Sequence, residues 1–169
     1  FKYAKIIKKY RPKHIFGYPS SIYLFSQFLK KHNIDLSNIG IKVIFVTADM
    51  LYDFQREAIK EIFKCPVANG YGGRDSGFIA HECPAGSMHI TEDIYVEFIK
   101  NNRPVAPGER GEIIVTHLDN YVMPFIRYRT GDVASPENKI CTCKRGSPLM
   151  SNIEGRTTDF IITPNGKIM

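Results

Sequence analysis

The sequence predicts an α/β fold in which the βαβ part of a parallel sheet is followed by a smaller, antiparallel, β-rich and barrel-like subdomain. Three observations predict it. Residues 41–46 form a short apolar run rich in β-branched side chains, as in a strand buried on both faces. Residues 52–63 then carry a helical period at Phe54, Ala58, Ile59 and Ile62, and residues 66–69 lead into Gly70-Tyr71-Gly72-Gly73. After about residue 85 the apolar stretches shorten, and Pro104, Pro107, Gly108 and Gly111 punctuate them.

The elements follow in chain order. Residues 22–31 repeat Ile22, Leu24, Phe25, Phe28 and Leu29 at helical spacing, with Ser20 and Ser21 as caps and Pro19 just before. Phe16 and Tyr18 lie at the end of a strand, where an acyl group could sit. The run 41–46, the helix 52–63 and the segment after Pro66 make the βαβ unit, whose strands aim their C-terminal ends at a ligand crevice. Residues 88–98, 111–116 and 123–128 read as short strands. The expected organisation is 1–84 for the α/β part, 85–156 for the β-rich part, and 157–169 for a hinge leading into a further lobe.

Bulk properties bound the function. The 169 residues are 43% hydrophobic and 24% charged, as in a globular chain, and no apolar run is long enough to span a membrane. No signal peptide is recognisable. The net charge of +6 is spread out, with its densest group at Lys5, Lys8, Lys9, Arg11 and Lys13. A solvated helix face or an anionic small ligand accounts for it, and nucleic acid is not the expected partner. Four cysteines without a dense scaffold point to a reducing, cytoplasmic setting. The sequence starts without Met and stops abruptly, which reads as an internal piece of a longer chain.

Three groups of residues could carry chemistry. In Arg127-Tyr128-Arg129-Thr130-Gly131-Asp132 a strand is expected to end, a Gly to permit a turn, and a carboxylate to follow. Such an Asp can accept two hydrogen bonds from a ribose diol, although Asp and Gly also serve ordinary turns. In Asn69-Gly70-Tyr71-Gly72-Gly73-Arg74-Asp75 the glycines allow close backbone approach, Tyr71 offers a flat face to a base, and Asp75 could hold Mg²⁺. Cys83, His89, Cys141 and Cys143 can supply a tetrahedral set for a structural Zn²⁺, with His81 as an alternative nitrogen. Cys65 reads as core packing, and His14, His32 and His117 as surface or loop residues.

Taken together and in order, these motifs resemble the adenylate-forming superfamily of acyl-CoA synthetases. Tyr71 to Asp75 is similar to that family's Tyr-Gly-x-Thr-Glu, Arg127 to Asp132 to its Tyr-Arg-Thr-Gly-Asp, and Gly155-Arg156-Thr157-Thr158-Asp159 to its hinge; Gly111-Glu112-Ile113 resembles the intervening strand. Gly17-Tyr18-Pro19-Ser20-Ser21, Met123-Pro124-Phe125 and Cys141-x-Cys143 resemble the phenylacetate–coenzyme A ligase branch, some of whose members hold zinc.

The resemblance implies an AMP-forming carboxylate–CoA ligase that uses ATP, Mg²⁺ and coenzyme A on a small carboxylate. It implies that Tyr71 stacks on adenine, and that Thr47, Ala48 and Asp49 line the adenine side with Asn69, Gly70 and Gly72. Arg74 and Asp75 would act at the phosphates, Asp75 as the Mg²⁺ ligand. Asp132 would hold the ribose, and Arg156 the ribose or phosphate of the adenylate.

Three residues depart from the pattern: Arg74 replaces Thr or Ser, Asp75 replaces Glu, and Thr158 replaces the hinge acid. The family's phosphate loop and catalytic Lys are not found within the sequence, so the isolated chain is expected to be inactive. The alternative reading is a noncatalytic, zinc-stabilised nucleotide-binding or interaction module. The acyl substrate and the oligomeric state stay open, a dimer being one option.

Overall fold

The computed structural model describes residues 1–158. It divides into two compact units, Phe1–Tyr71 and Gly72–Met169. The division falls earlier in the chain than the 84/85 boundary expected from composition.

The first unit is a three-stranded parallel sheet with helices. Helix α1 (Lys2–Tyr10) precedes strand β1 (His14–Gly17), then helix α2 (Pro19–Lys31), β2 (Val43–Val46), helix α3 (Asp53–Phe63) and β3 (Val67–Gly73). Strand β1 pairs in parallel with β2, and β2 with β3, in register Ile44↔Val67 and Val46↔Asn69. This is the expected βαβ unit. Its core is fully buried Leu29, Ile44, Ile59 and Phe63.

Local chemistry sets the helix ends. Helix α2 begins three residues earlier than its apolar period because Pro19 occupies the first helical turn rather than standing before it. A proline there has no N–H to leave unsatisfied. No side chain caps this helix, so Ser20 and Ser21 are not the caps expected of them. Gln55 closes the start of α3: its Oε1 accepts from the Tyr52 N–H at 3.1 Å, and its own N–H donates to the Tyr52 carbonyl at 3.0 Å. Strand β2 is shorter than the run 41–46, and its Phe45 is 36% exposed, so burial alternates where burial on both faces was expected.

The second unit is antiparallel and forms two sheets. One contains β4 (Gly77–Glu82), β5 (Met88–Ile90), β10 (Pro136–Glu137) and β11 (Leu149–Met150), in the order β4-β5-β11-β10. The other contains β6 (Ile94–Lys100), β7 (Arg103–Pro104), β8 (Gly111–His117), β9 (Tyr128–Ala134) and β12 (Gly155–Arg156), in the order β12-β9-β8-β6-β7. The expected strand 88–98 is two strands, because residues 91–93 leave the ladder and send the chain from one sheet to the other.

Two glycine segments differ from expectation. The glycine-rich 70–73 lies within β3 rather than in a loop, and the turn comes at residues 74–76. A Cβ on Gly72 would collide with the Gly77 carbonyl oxygen, so glycine lets these backbones approach. Likewise 123–128 is not a strand. The segment Tyr128 to Asp132 opens β9, with Arg127 just before it, instead of ending a strand. Between Ile114↔Arg129 and Glu112↔Val133 the register slips, and Gly131, at φ 76°, sits in the resulting bulge. Bulges re-aim side chains beside functional sites, and this one carries Asp132.

Close packing at β8 gives a stability prediction. A Cβ on Gly111 would come within 2.8 Å of the Ile99 nitrogen and the Phe98 carbonyl carbon. Gly111→Ala is expected to lower stability by about 1–3 kcal/mol, the cost typical of overpacking. Gly146, with nothing within 4 Å, is the neutral control. Thermal denaturation of the two variants checks this.

Candidate functional site

The sequence-predicted nucleotide residues fall in both units. In the first, Thr47, Ala48 and Asp49 follow the C-terminal end of β2. Thr47 donates its N–H to the Gly17 carbonyl at 3.2 Å, and the Asp49 carboxylate caps the Met50 N–H at 2.9 Å. Ala48 adopts φ 68°, a left-handed conformation uncommon for a residue with a Cβ. Asn69, Gly70 and Tyr71 lie on β3. Tyr71 is 9% exposed, so only a small part of its ring reaches solvent.

In the second unit, Gly72 is in β3 and Arg74 and Asp75 are exposed in the turn that follows. The Tyr128 hydroxyl donates to Asp75 Oδ2 at 3.1 Å, which raises the tyrosine's pKa. The Asp75 Oδ1 has no partner among the described residues, so it can face a cation. Sequence reasoning missed Tyr128 in this role, because 53 positions separate the pair.

Asp132 pairs with Arg156, Nε to Oδ1 at 3.2 Å, and β12 holds the arginine opposite Asp132 in register. Arg156 also donates to the Thr130 carbonyl at 3.2 Å. Gly155, at φ 143°, turns the chain into β12. The hinge motif thus begins inside a sheet; Asp159, with the rest of the expected segment 157–169 beyond Thr158, lies outside the described residues.

The other two arginines of the motif are engaged by carboxylates. Arg127 pairs with Glu97 at 3.0 Å, and Arg129 makes a bidentate pair with Glu112. Arg156, on β12, is engaged by Asp132 beside the β9 bulge.

The cysteine group is brought together. The ligand atoms of Cys83, His89, Cys141 and Cys143 all lie within 4.8 Å of one another. Cys83 and Cys141 sulfurs are 3.6 Å apart, and Cys143 Sγ is 3.3 Å from His89 Nε2. Tetrahedral zinc with Zn–S of about 2.3 Å sets sulfurs about 3.8 Å apart, so this S₃N set has the size of a zinc shell. His89 is fully buried, and its Nδ1 lies 3.1 Å from Ser147 Oγ, the kind of outer contact that fixes a ligand ring. His81 points elsewhere, to Arg145, so His89 is the histidine the fold brings to the group.

Polar contacts tune these thiols. The Cys143 backbone N–H, then Ser87 and His89, hold Cys141 down to about 6. The Arg145 N–H favours the Cys143 thiolate, but burial and the sulfurs of Cys141 and Cys83 outweigh it and push that thiol up. Cys65 is buried in the first unit and its thiol is raised by that burial, as expected of packing.

Sequence comparison finds relatives of the whole described fold among known proteins. Protein CapK of Staphylococcus aureus is 29% identical over 160 residues, covering 94% of this chain and 34% of that protein. A phenylacetate-coenzyme A ligase of Thermus thermophilus is 26% identical over 164 residues, covering 93% and 37%. The chain is a homologue of these ligases and of CapK.

It spans about a third of the length of these relatives. No family model matches. A 2-hydroxyisobutyryl-CoA ligase, solved with 2-HIB-AMP and CoA, superposes with a TM-score of 0.86 at 24% identity, covering 99% of this chain and 41% of that one. An anthranilate CoA ligase solved with anthranoyl-AMP gives 0.75 at 14% identity, covering 99% and 34%. The fold of this homologue is thus that of the adenylate-forming ligases. No helix among its described residues is long and apolar enough to cross a membrane.

Proposed function

We propose that this chain is part of an AMP-forming acid–thiol ligase that activates a small carboxylate with ATP and passes the acyl group to coenzyme A. The observation that carries the reading is the bulge in β9, which presents Asp132 beside Arg156 in a homologue of phenylacetate-coenzyme A ligases. A carboxylate held on rigid strand geometry suits the two vicinal hydroxyls of a ribose. The cationic neighbour then suits the phosphate attached to it.

Each residue's role follows from its chemistry. Asp132 accepts from the ribose hydroxyls, and Arg156 exchanges its pairing with Asp132 for the phosphate of the adenylate. Thr47 to Asp49 and Asn69 to Tyr71 form the adenine side, the small exposed part of Tyr71 contacting the base. Arg74 supplies charge where the family uses a hydroxyl, and its planar guanidinium can pair two phosphate oxygens. Asp75 would hold Mg²⁺, which offsets phosphate charge when bound. Tyr128 orients that carboxylate by keeping Oδ2 occupied. With the phosphates fixed, a carboxylate oxygen attacks the α-phosphorus in line and pyrophosphate leaves. The thiol sulfur then attacks the acyl carbon and AMP leaves.

Zinc at Cys83, His89, Cys141 and Cys143 would be structural. Four protein ligands leave no open position, and the metal would tie β5 and the segment after β4 to residues 141–143. The cytoplasm, where thiols stay reduced, is the setting that suits such a site.

Activity belongs to a protein of the relatives' full length, and the 169-residue chain alone is expected to be inactive. A panel of small carboxylates assayed for pyrophosphate release tests the reading. Release with at least one acid supports it; a folded, zinc-loaded, full-length protein that binds AMP yet releases none with any acid favours the noncatalytic module. Within that assay, Tyr128→Phe is expected to raise the Mg²⁺ concentration needed for half-maximal rate a few-fold, because Asp75 loses its orienting bond. An unchanged Mg²⁺ requirement would remove Tyr128 from the account.

A further inference from the structure

We propose that Glu154 is a positioning residue: it sets the register of β12 and so holds Arg156 opposite Asp132. The inference deepens the ligase reading and rests on it for the ligand that Arg156 meets. Strand β12 is two residues long, Gly155–Arg156. Two backbone bonds flank it. The Glu154 N–H donates to the Val133 carbonyl at 2.9 Å, and the Thr157 N–H to the Gly131 carbonyl at 2.7 Å. Gly155 contributes no side chain, and nothing lies within 4 Å of the place a Cβ would take.

So short a ladder specifies its register weakly, and a slip of one residue turns every side chain to the opposite face. Such a slip would carry Arg156 away from Asp132, its register partner on β9. The strand therefore needs an anchor outside its own ladder.

The Glu154 carboxylate is placed to be that anchor. Its Oε1 accepts from Ser135 Oγ at 3.0 Å, with Ser151 Oγ 3.4 Å away. The two serines hold each other: the Ser135 N–H donates to Ser151 Oγ at 3.0 Å, and the Ser151 N–H to the Ser135 carbonyl at 2.9 Å. Ser135 is buried and follows the last residue of β9. The second oxygen, Oε2, pairs with Arg110, which immediately precedes β8. One side chain thus ties the start of β12 to the end of β9 and the start of β8.

The contacts are not equal. The Arg110 side chain is 75% exposed, whereas that of Glu154 is 25% exposed. Exposed ion pairs contribute little, but a hydrogen bond from a buried hydroxyl to a charged acceptor is among the stronger kinds. The bond from Ser135 is therefore the main tether, and an uncharged acceptor at position 154 should preserve the register.

Two measurements on the full-length protein test this. The first needs no ligand. Arginine side chains are labelled with nitrogen-15, and the Nε–H signal of Arg156 is identified by its loss in Arg156→Ala. In the wild type this proton is expected to exchange slowly with water, because Asp132 holds it. Glu154→Ala is expected to lose that protection, and Glu154→Gln, which keeps the acceptor for Ser135, to retain it. The second is calorimetry with AMP. Glu154→Ala is expected to weaken AMP roughly three- to tenfold, the size of one hydrogen bond, and to cause no further loss in an Arg156→Ala background. Ser135→Ala, a smaller change, should act in the same direction in both measurements and decides the matter if Glu154→Ala does not fold. Three results would overturn the proposal: a wild-type Arg156 Nε–H without protection, protection and AMP affinity unchanged on loss of the anchor, or an equal loss of affinity with and without Arg156. A wild type that shows the expected protection pattern yet binds no AMP would leave the positioning role standing and remove the ligase reading.

Discussion

Asp132→Ala in the full-length protein is expected to lower pyrophosphate release roughly 100- to 1,000-fold while the protein stays folded. The size follows from two hydrogen bonds to a charged acceptor, at about 1.5–3 kcal/mol each, discounted for partial replacement by water. The loss should fall on nucleotide affinity as well as rate, because the ribose contact exists before the reaction. Asp132→Asn keeps one acceptor and should retain part of the activity. Arg156→Ala separates the two contributions: it frees Asp132 from its 3.2 Å partner but should weaken acyl-adenylate more than AMP. Calorimetry with AMP, alongside circular dichroism to verify folding, provides the readout. Unchanged AMP affinity in Asp132→Ala would remove the ribose role.

The second large effect concerns zinc. Purified wild type is expected to carry one zinc per chain at the cysteine cluster, and Cys141→Ser to lose it. Losing a structural metal belongs to the few changes that cost several kcal/mol. A loss of roughly 3 kcal/mol corresponds to a fall of about 6–12 °C in Tm for a domain of this size. Acid should act in the same direction. Cys141 is held at about 6, below the ordinary value of 9.0. Its folded-state preference for the thiolate therefore stabilises the fold fully only above the ordinary thiol value, and that contribution is lost as pH falls through about 6. Zinc should be released on acidification, since protons compete for the sulfur. Metal analysis with thermal denaturation at several pH values checks both. A wild type that purifies metal-free with an unchanged Tm would exclude a structural zinc.

The sequence was most informative where a pattern is local. The β-branched run before Val46 and the helical period ending at Phe63 marked the βαβ unit, because burial imposes a period on side chains. The sequence also named Cys83, His89, Cys141 and Cys143, and the fold brings the ligand atoms of the four within 4.8 Å of one another while His81 turns to Arg145. Glycine was harder to read. Gly72 and Gly131 suggested turns, yet one permits close strand approach and the other a bulge, and sequence does not tell these uses apart. Cross-strand partners were invisible. Tyr128 meets Asp75 only through the tertiary fold, across 53 positions of chain, which no local pattern encodes.

The most direct test of acyl adenylation follows oxygen atoms. The full-length protein is given ATP and a carboxylate labelled with heavy oxygen, using whichever acid supports pyrophosphate release. If the carboxylate attacks the α-phosphorus and the thiol then releases AMP, one labelled oxygen appears in the phosphate of AMP and none in pyrophosphate. Label in inorganic phosphate with ADP as the co-product, or AMP formed without label, would contradict it.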